Sequence, residues 1–299
     1  MTAAALRAAL AGAALALSGC AQPLLHADHP LAGRVWDVGA SSFVDADAVW
    51  PPAARARHVL IGEIHDNPGH HRLQRIALEA IAAHGPRRTL AMEQFDSEHQ
   101  PALDAARASG ADVERVADAG RFDREGWGWH FYRPLVAFAV ERGWPLAAAN
   151  LSRRELRAVV ADTGRMAALP PVPAALRREL EQEMVDGHCG HRPDPKTLAT
   201  MVDGQRARDA RMAEVIARAA GPVVLLAGNA HVRRDRGVPA YLAGGGDAVA
   251  IGLVEVRAGA GAPGDYAVAG KYDFVFFTGR VDREDPCVRF RAQGPAAAP

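Results

Sequence analysis

His58-Val59-Leu60-Ile61-Gly62 is a β-branched and apolar run that stops abruptly at Glu63, and the polar residues His65, Asp66 and Asn67 follow. Pro68 then opens a stretch in which Leu73, Ile76, Ala77, Ala80 and Ile81 recur at helical spacing. Proline suits the first turn of a helix, where its missing N–H is not needed. A buried strand, a polar turn and an amphipathic helix form the opening half of a βαβ unit. The expected fold class is therefore α/β, a mostly parallel sheet flanked by helices.

The same grammar repeats downstream. A second strand at 89–92 ends in Glu93, and a third at 145–149 ends in Asn150, with Ser152 placed to cap the next helix. Helical stretches at 174–185 and 198–219 form an insertion between the third and fourth core strands. The fourth strand, 222–227, is the most apolar and ends in Gly228-Asn229-Ala230-His231; further strands are expected at 248–256 and 273–277. Ligands of open parallel sheets bind beyond the carboxyl ends of the strands. Glu63, His65, Glu93, Asn150 and His231 should then share one rim.

Glu63 and His65 fall on the same side of an extended chain end, because strand side chains alternate with period two. With Glu93 and His231 they supply two carboxylates and two imidazoles. Such a set can hold a divalent metal ion or act as a general acid and base. Taken singly, each reads equally well as a helix cap or a loop anchor; their recurrence after successive apolar strands favours a functional site. Gly62 and Gly228 fit close approach of the backbone to a ligand, and fit ordinary turns as well.

The amino terminus carries a different signal. Arg7 precedes an apolar run at 8–17, too short to remain as a bilayer-spanning helix and fitting a removable export signal. Leu17-Ser18-Gly19-Cys20 resembles the lipobox of bacterial lipoproteins, which implies cleavage before Cys20 and a diacylglycerol on its thiol. The expected organisation is a signal peptide at 1–19, a lipidated tether at 20–35, one α/β domain at 36–290 and a disordered tail at 291–299. Acyl chains in that number anchor a protein stably to a membrane. Ala21 lacks the aspartate that retains many lipoproteins in the inner membrane, so the outer membrane is expected, facing the periplasm or the cell surface. Thirty-five basic residues balance thirty-five acidic ones, which leaves no field to favour nucleic acid. Cys189 and Cys287 can pair in an oxidising compartment, but two cysteines do not define a framework.

The strings LIGEIHDNPGHH, AMEQF, WHFYRPLVAFA, AAAN, DGHCGH, MVDGQRARDARMA and LLAGNAHVRRDRGVP occur in that order between Ala56 and Ala243. They resemble the ChaN-like haem-binding lipoproteins, part of a wider superfamily of haem-uptake, Tiki and erythromycin-esterase-like domains. The resemblance implies an envelope lipoprotein that binds haem, as a homodimer with haem between subunits, and that serves haem-uptake machinery. More distant relatives use the positions matching Glu63, His65, Gly228 and His231 for peptide or ester cleavage. Binding and catalysis thus both stay open.

Haem iron accepts His, Tyr, Met or Cys, and its propionates seek Arg or Lys. The stretch from Trp127 through Trp129, His130, Tyr132 and Arg133 offers flat apolar surface, two candidate ligands and a cation, or else a helix start packed on the core. Tyr132 is preferred there, since tyrosinate suits ferric iron that must later be released. His188-Cys189-Gly190-His191 is a second cluster able to ligate a metal. Gln205 and Asp209 share a helix face at i, i+4, and Arg206 or Arg208 can pair with a propionate in a bidentate way, unless these side chains only form a solvated face. A haem-binding module, not an enzyme, is the leading expectation. A metal-dependent hydrolase built on Glu63, His65, Glu93 and His231 is its rival, and a purely structural network comes third.

Overall fold

Strands β1 (Val35–Asp37), β2 (Ser42–Val44), β3 (His58–Ile61), β4 (Thr89–Asp96), β5 (Leu146–Asn150), β6 (Val223–Leu226), β7 (Ala248–Glu255) and β8 (Phe274–Thr278) form one sheet in the computed structural model. It describes residues 24–243, 247–284 and 287–288. The signal at 1–19, Cys20 and the tail at 291–299 lie outside the described residues. The strand order is β2-β1-β8-β7-β3-β6-β4-β5. From β8 to β5 every neighbouring pair is parallel, and the β1–β2 hairpin joins the β8 edge antiparallel. β3 and β6 lie at the centre, buried on both faces, which explains why their sequences are continuously apolar and do not alternate.

Helices α1 (Trp50–Arg55), α2 (Pro68–His84), α3 (Gln100–Ala108), α4 (Val113–Ala119) and α5 (Trp129–Glu141) precede β5. Helices α6 (Arg153–Ala161), α7 (Thr163–Ala168), α8 (Ala174–Gly187) and α9 (Pro195–Arg218) lie between β5 and β6. Local chemistry sets the helix starts. Asn67 accepts hydrogen bonds from the Gly69 and His70 amides ahead of α2, and Ser152 with Glu155 forms a reciprocal capping box on α6. Asp194 caps α9 through the Lys196 and Thr197 amides, so this helix begins before the expected position 198. One core, including Ile81, Met92, Phe95, Tyr132 and Phe138, fills one face of the sheet; another, including Met212, Ile216, Leu225 and Phe277, fills the other.

Two features differ from the sequence expectations, and a third resolves a pairing that the sequence leaves open. β4 does not end at Glu93 but continues to Asp96, because its pairing with β5 shifts register between Met92 and Asp96. This irregularity keeps Glu93 and Gln94 in the strand yet re-aims their side chains. The stretch read as a tether packs on the domain from Leu24 onward: Leu25 exchanges backbone hydrogen bonds with Arg280, Leu31 is buried, and Val35 starts β1. Two three-residue strands are too short to show alternation, so the sequence carries no sign of the hairpin. Cys189 and Cys287 form a disulfide, which joins the turn after α8 to the carboxyl-terminal segment and leaves Cys189 no thiolate for a metal.

Candidate functional site

Beyond the carboxyl ends of β3, β4 and β6 lies a cleft of about 570 Å³, lined among others by Glu63, His65, Glu93, Trp127, Arg208 and His231. Glu63, Glu93 and His231 come from three central strands and Asn150 from the end of β5. The strand-end residues are thus brought to one rim by the parallel sheet.

Glu63 is the most heavily bonded group there. Its side chain is wholly buried and accepts from four donors: His65 Nδ1 at 2.8 Å, the Tyr132 hydroxyl at 2.5 Å, Gln94 Nε2 at 3.0 Å and Gln74 Nε2 at 2.7 Å. Burial alone would raise its carboxyl, but the bond from His65, the nearby His71 and the Tyr132 hydroxyl hold it below its ordinary range. A carboxylate only accepts, so the proton of His65 sits on Nδ1. Among the described residues its Nε2 makes no hydrogen bond, and the side chain is 45% exposed to the cleft. Burial disfavours the imidazolium of His65, yet the carboxylates of Glu63 and Glu93 outweigh it and raise the group above its ordinary value.

The ring is held from two sides. Trp127 meets it edge-on at 4.9 Å between centroids, and a Cβ at Gly228 would stand 3.2 Å from its Cε1. Gly62 is likewise required: a side chain there would meet Asn229 Oδ1 at 2.1 Å. Asn229 ties the β6 exit to β7 by donating to the Leu253 carbonyl and accepting from the Leu253 amide.

A second buried set lies deeper. His231 donates from Nδ1 to Asp209 Oδ1 at 2.6 Å, and its Nε2 lies 3.4 Å from Glu93 Oε1. Glu93 also accepts from the Gly228 amide at 2.7 Å. Burial opposes a charge on His231, but Glu93 and Asp209 push it up to about 10, so it is an imidazolium at neutral pH. Glu93, despite its burial, is held down at about 2 by that cation, while burial pushes Asp209 up. Both nitrogens of His231 thus face carboxylates. Among the described residues the carboxylate and imidazole atoms gathered within 4.8 Å are those of Asp96, Glu98 and His99, not the rim set. In this arrangement the rim side chains pair with one another and do not converge on one point as a set of ligands. Asn150 at the far wall accepts from its neighbour Leu151 and from Arg208 Nη1 at 2.6 Å.

The other candidates are placed apart. Tyr132 is fully buried, and burial with the adjacent Glu63 keeps its hydroxyl protonated far above the ordinary range. Trp129 packs against Phe122 and donates to Glu114, and Arg133 is exposed and paired with Glu114. Arg206 is held by Asp203 and the Pro170 carbonyl. His188 is an exposed C-cap of α8 bonded to the Met184 carbonyl. None of these five lines the cleft. Sequence reasoning missed Gln74, Gln94 and His71. His71 and Gln74, at i and i+3 of α2, carried the available signal, two buried polar residues on one helix face. The Gln205/Asp209 face does turn inward: Gln205 lines the cleft and Asp209 holds His231.

Comparison with known proteins points one way. Residues 49–242 match the family model described as haem-binding uptake, Tiki superfamily, ChaN. No curated protein matches the chain. Among solved structures, ChaN of Campylobacter jejuni, described as binding haem cofacially, superposes with a TM-score of 0.68 at 21% identity over 81% of this chain and 95% of that one. An erythromycin esterase mutant in its open conformation gives 0.45 at 10% identity, over 80% of this chain and 94% of that one. The RRSP toxin effector domain from Vibrio vulnificus gives 0.42 at 16% identity, over 72% and 36%. At these identities the likenesses show the fold alone.

Proposed function

The chain belongs to the haem-binding uptake, Tiki superfamily, ChaN family, and from that premise we propose that it binds haem in the rim cleft as a lipid-anchored protein of the cell envelope. Haem brings an iron that takes an imidazole nitrogen, a flat apolar ring and two propionates that seek cations. The observation that carries the reading is His65, whose Nδ1 is fixed by Glu63 while Nε2 faces the cleft. A carboxylate on the remote nitrogen of a ligating histidine orients the ring and makes it a stronger donor. Trp127 supplies flat apolar surface beside it, and Arg208 supplies a cation at the opposite wall.

Tyr132 then serves as a neutral donor that positions Glu63, not as a tyrosinate ligand. Lipidation at Cys20, the outer-membrane address, and delivery to haem-uptake machinery belong to the same reading. So does a homodimer. The test is haemin binding followed by absorbance in two variants. His65→Ala should weaken it at least tenfold, about 1.4 kcal/mol, and His188→Ala should leave it unchanged. The reverse order would remove His65 from the site.

One observation favours a second reading, hydrolysis. A histidine with one nitrogen on a buried carboxylate and the other open to a cleft is arranged as a general base for water. In this reading Nε2 of His65 takes the proton of the water while Glu63 holds Nδ1. Ester or peptide cleavage that is lost in His65→Ala, with haemin binding absent from the wild type, would establish it in place of haem binding.

A further inference from the structure

We propose that the rim face of this protein lies against the membrane holding its lipid, so that the cleft opens onto the lipid surface and exchanges its ligand there; this rests on the anchor at Cys20. The carrying observation is where Leu24 and Leu25 pack. Leu24 packs over Gly69, in the first turn of α2, and over Gly279, just beyond β8. Both positions follow the carboxyl ends of parallel strands, so the chain enters the domain at the rim. Its next residue is tied there by two backbone hydrogen bonds between Leu25 and Arg280.

Magnitudes select the face. Four residue steps lead from Cys20 to Leu24, and at about 3.5 Å each they reach at most about 14 Å. The opposite end of the sheet, marked by Arg57 and Asp247, lies a full β7 length away, about 26 Å for eight residues at about 3.3 Å each. A tether of that reach holds the rim near the bilayer and cannot turn the far end to it.

The rim surface suits such a neighbour. Leu25 is one of three large hydrophobic side chains exposed among the described residues. Beside the cleft, and sharing Ile64 and Asn229 with it, lies a smaller pocket of about 360 Å³ lined by Val254, Tyr266, Arg257 and Arg280. Both arginines are exposed, and among the described residues neither has an ion-pair partner. Apolar side chains with arginines around them suit an anionic headgroup layer.

With Cys189 and Cys287 paired, Cys20 is the remaining thiol. The mature chain can thus be coupled through it to a maleimide lipid in phosphatidylglycerol vesicles, and amide hydrogen exchange compared with the same chain carrying a soluble maleimide cap. The proposal expects several-fold slower exchange in 25–29, 256–260 and 279–283, no change in 55–57 and 84–88, and loss of the difference when about twenty Gly/Ser residues are inserted after Cys20. Slowing on the 55–57 and 84–88 face, on both faces alike, or nowhere would overturn it. The intact mass of protein taken from cell membranes tests lipidation of Cys20 separately, so failure of the anchor and failure of the orientation are told apart.

Discussion

Glu63→Gln keeps the side-chain shape at the centre of the site and removes its charge. In the structure one carboxylate accepts four hydrogen bonds, from His65, Tyr132, Gln94 and Gln74. An amide has one oxygen to accept and an NH2 that must face at least one donor. Hydrogen bonds to a charged group contribute about 1 kcal/mol more than neutral ones, so four of them lose about 4 kcal/mol. Relief of burying a charge offsets about 1–2 kcal/mol of that, which leaves a net destabilisation of about 2–3 kcal/mol. Urea unfolding at pH 7 should show it as a midpoint lowered by about 1 M, for a slope of about 3 kcal/mol/M. The same substitution removes the leading influence that raises His65, so its titration, followed by NMR, should move down. Haem affinity, which requires the neutral ring, should then persist to lower pH per bound molecule even where it is weaker overall. A stability change under about 0.5 kcal/mol, typical of unimportant surface sites, together with an unmoved His65, would refute the assignment of Glu63 as the shared anchor.

Three further outcomes follow from the geometry. Glu93 is held near 2 in the folded chain against 4.5 unfolded, so its contribution, about 3 kcal/mol, is present above pH 4.5 and lost as pH falls towards 2. His231, raised from 6.5 to about 10, contributes fully below pH 6.5 and loses that contribution as pH rises through 10. Denaturation across pH should show both limbs, not additive because the two groups share one interaction, and His231→Gln should flatten them. Cys287→Ser opens a crosslink between residues 98 apart and should cost about 3 kcal/mol in non-reducing urea melts, a difference that vanishes when both proteins are reduced. Gly62→Ala forces a methyl against Asn229, breaks its two bonds to Leu253 and should cost about 3 kcal/mol, whereas Gly143→Ala, at a positive φ in open space, should cost about 1 kcal/mol.

The rim was legible because apolar strands give way to polar residues at or soon after their carboxyl ends, at Glu63, Asn150 and His231. Glu93 does line the cleft, but β4 does not end there, since the register shift beside it depends on pairing with β5 and leaves no mark in the β4 sequence. Tyr132 shows a different limit. The aromatic cluster around it was visible, but which ring turns inward depends on how α5 docks against α2, where Tyr132 meets His71. The ion pairs of His231 with Asp209 and Glu93 join residues far apart in sequence, and only the inward face of α9 hinted at them. The cysteine pairing was undetermined for the same reason: spacing alone does not bring position 189 to position 287. Motif strings, by contrast, identified the family that the comparisons show.

The most direct measurement is a haemin titration of the soluble domain followed by absorbance, alongside metal analysis of the purified protein. The account predicts a saturable Soret shift at about one haem per chain, weakened by His65→Ala, with no stoichiometric divalent metal. No saturable shift, or a tightly held metal that is lost with His65→Ala, would contradict it.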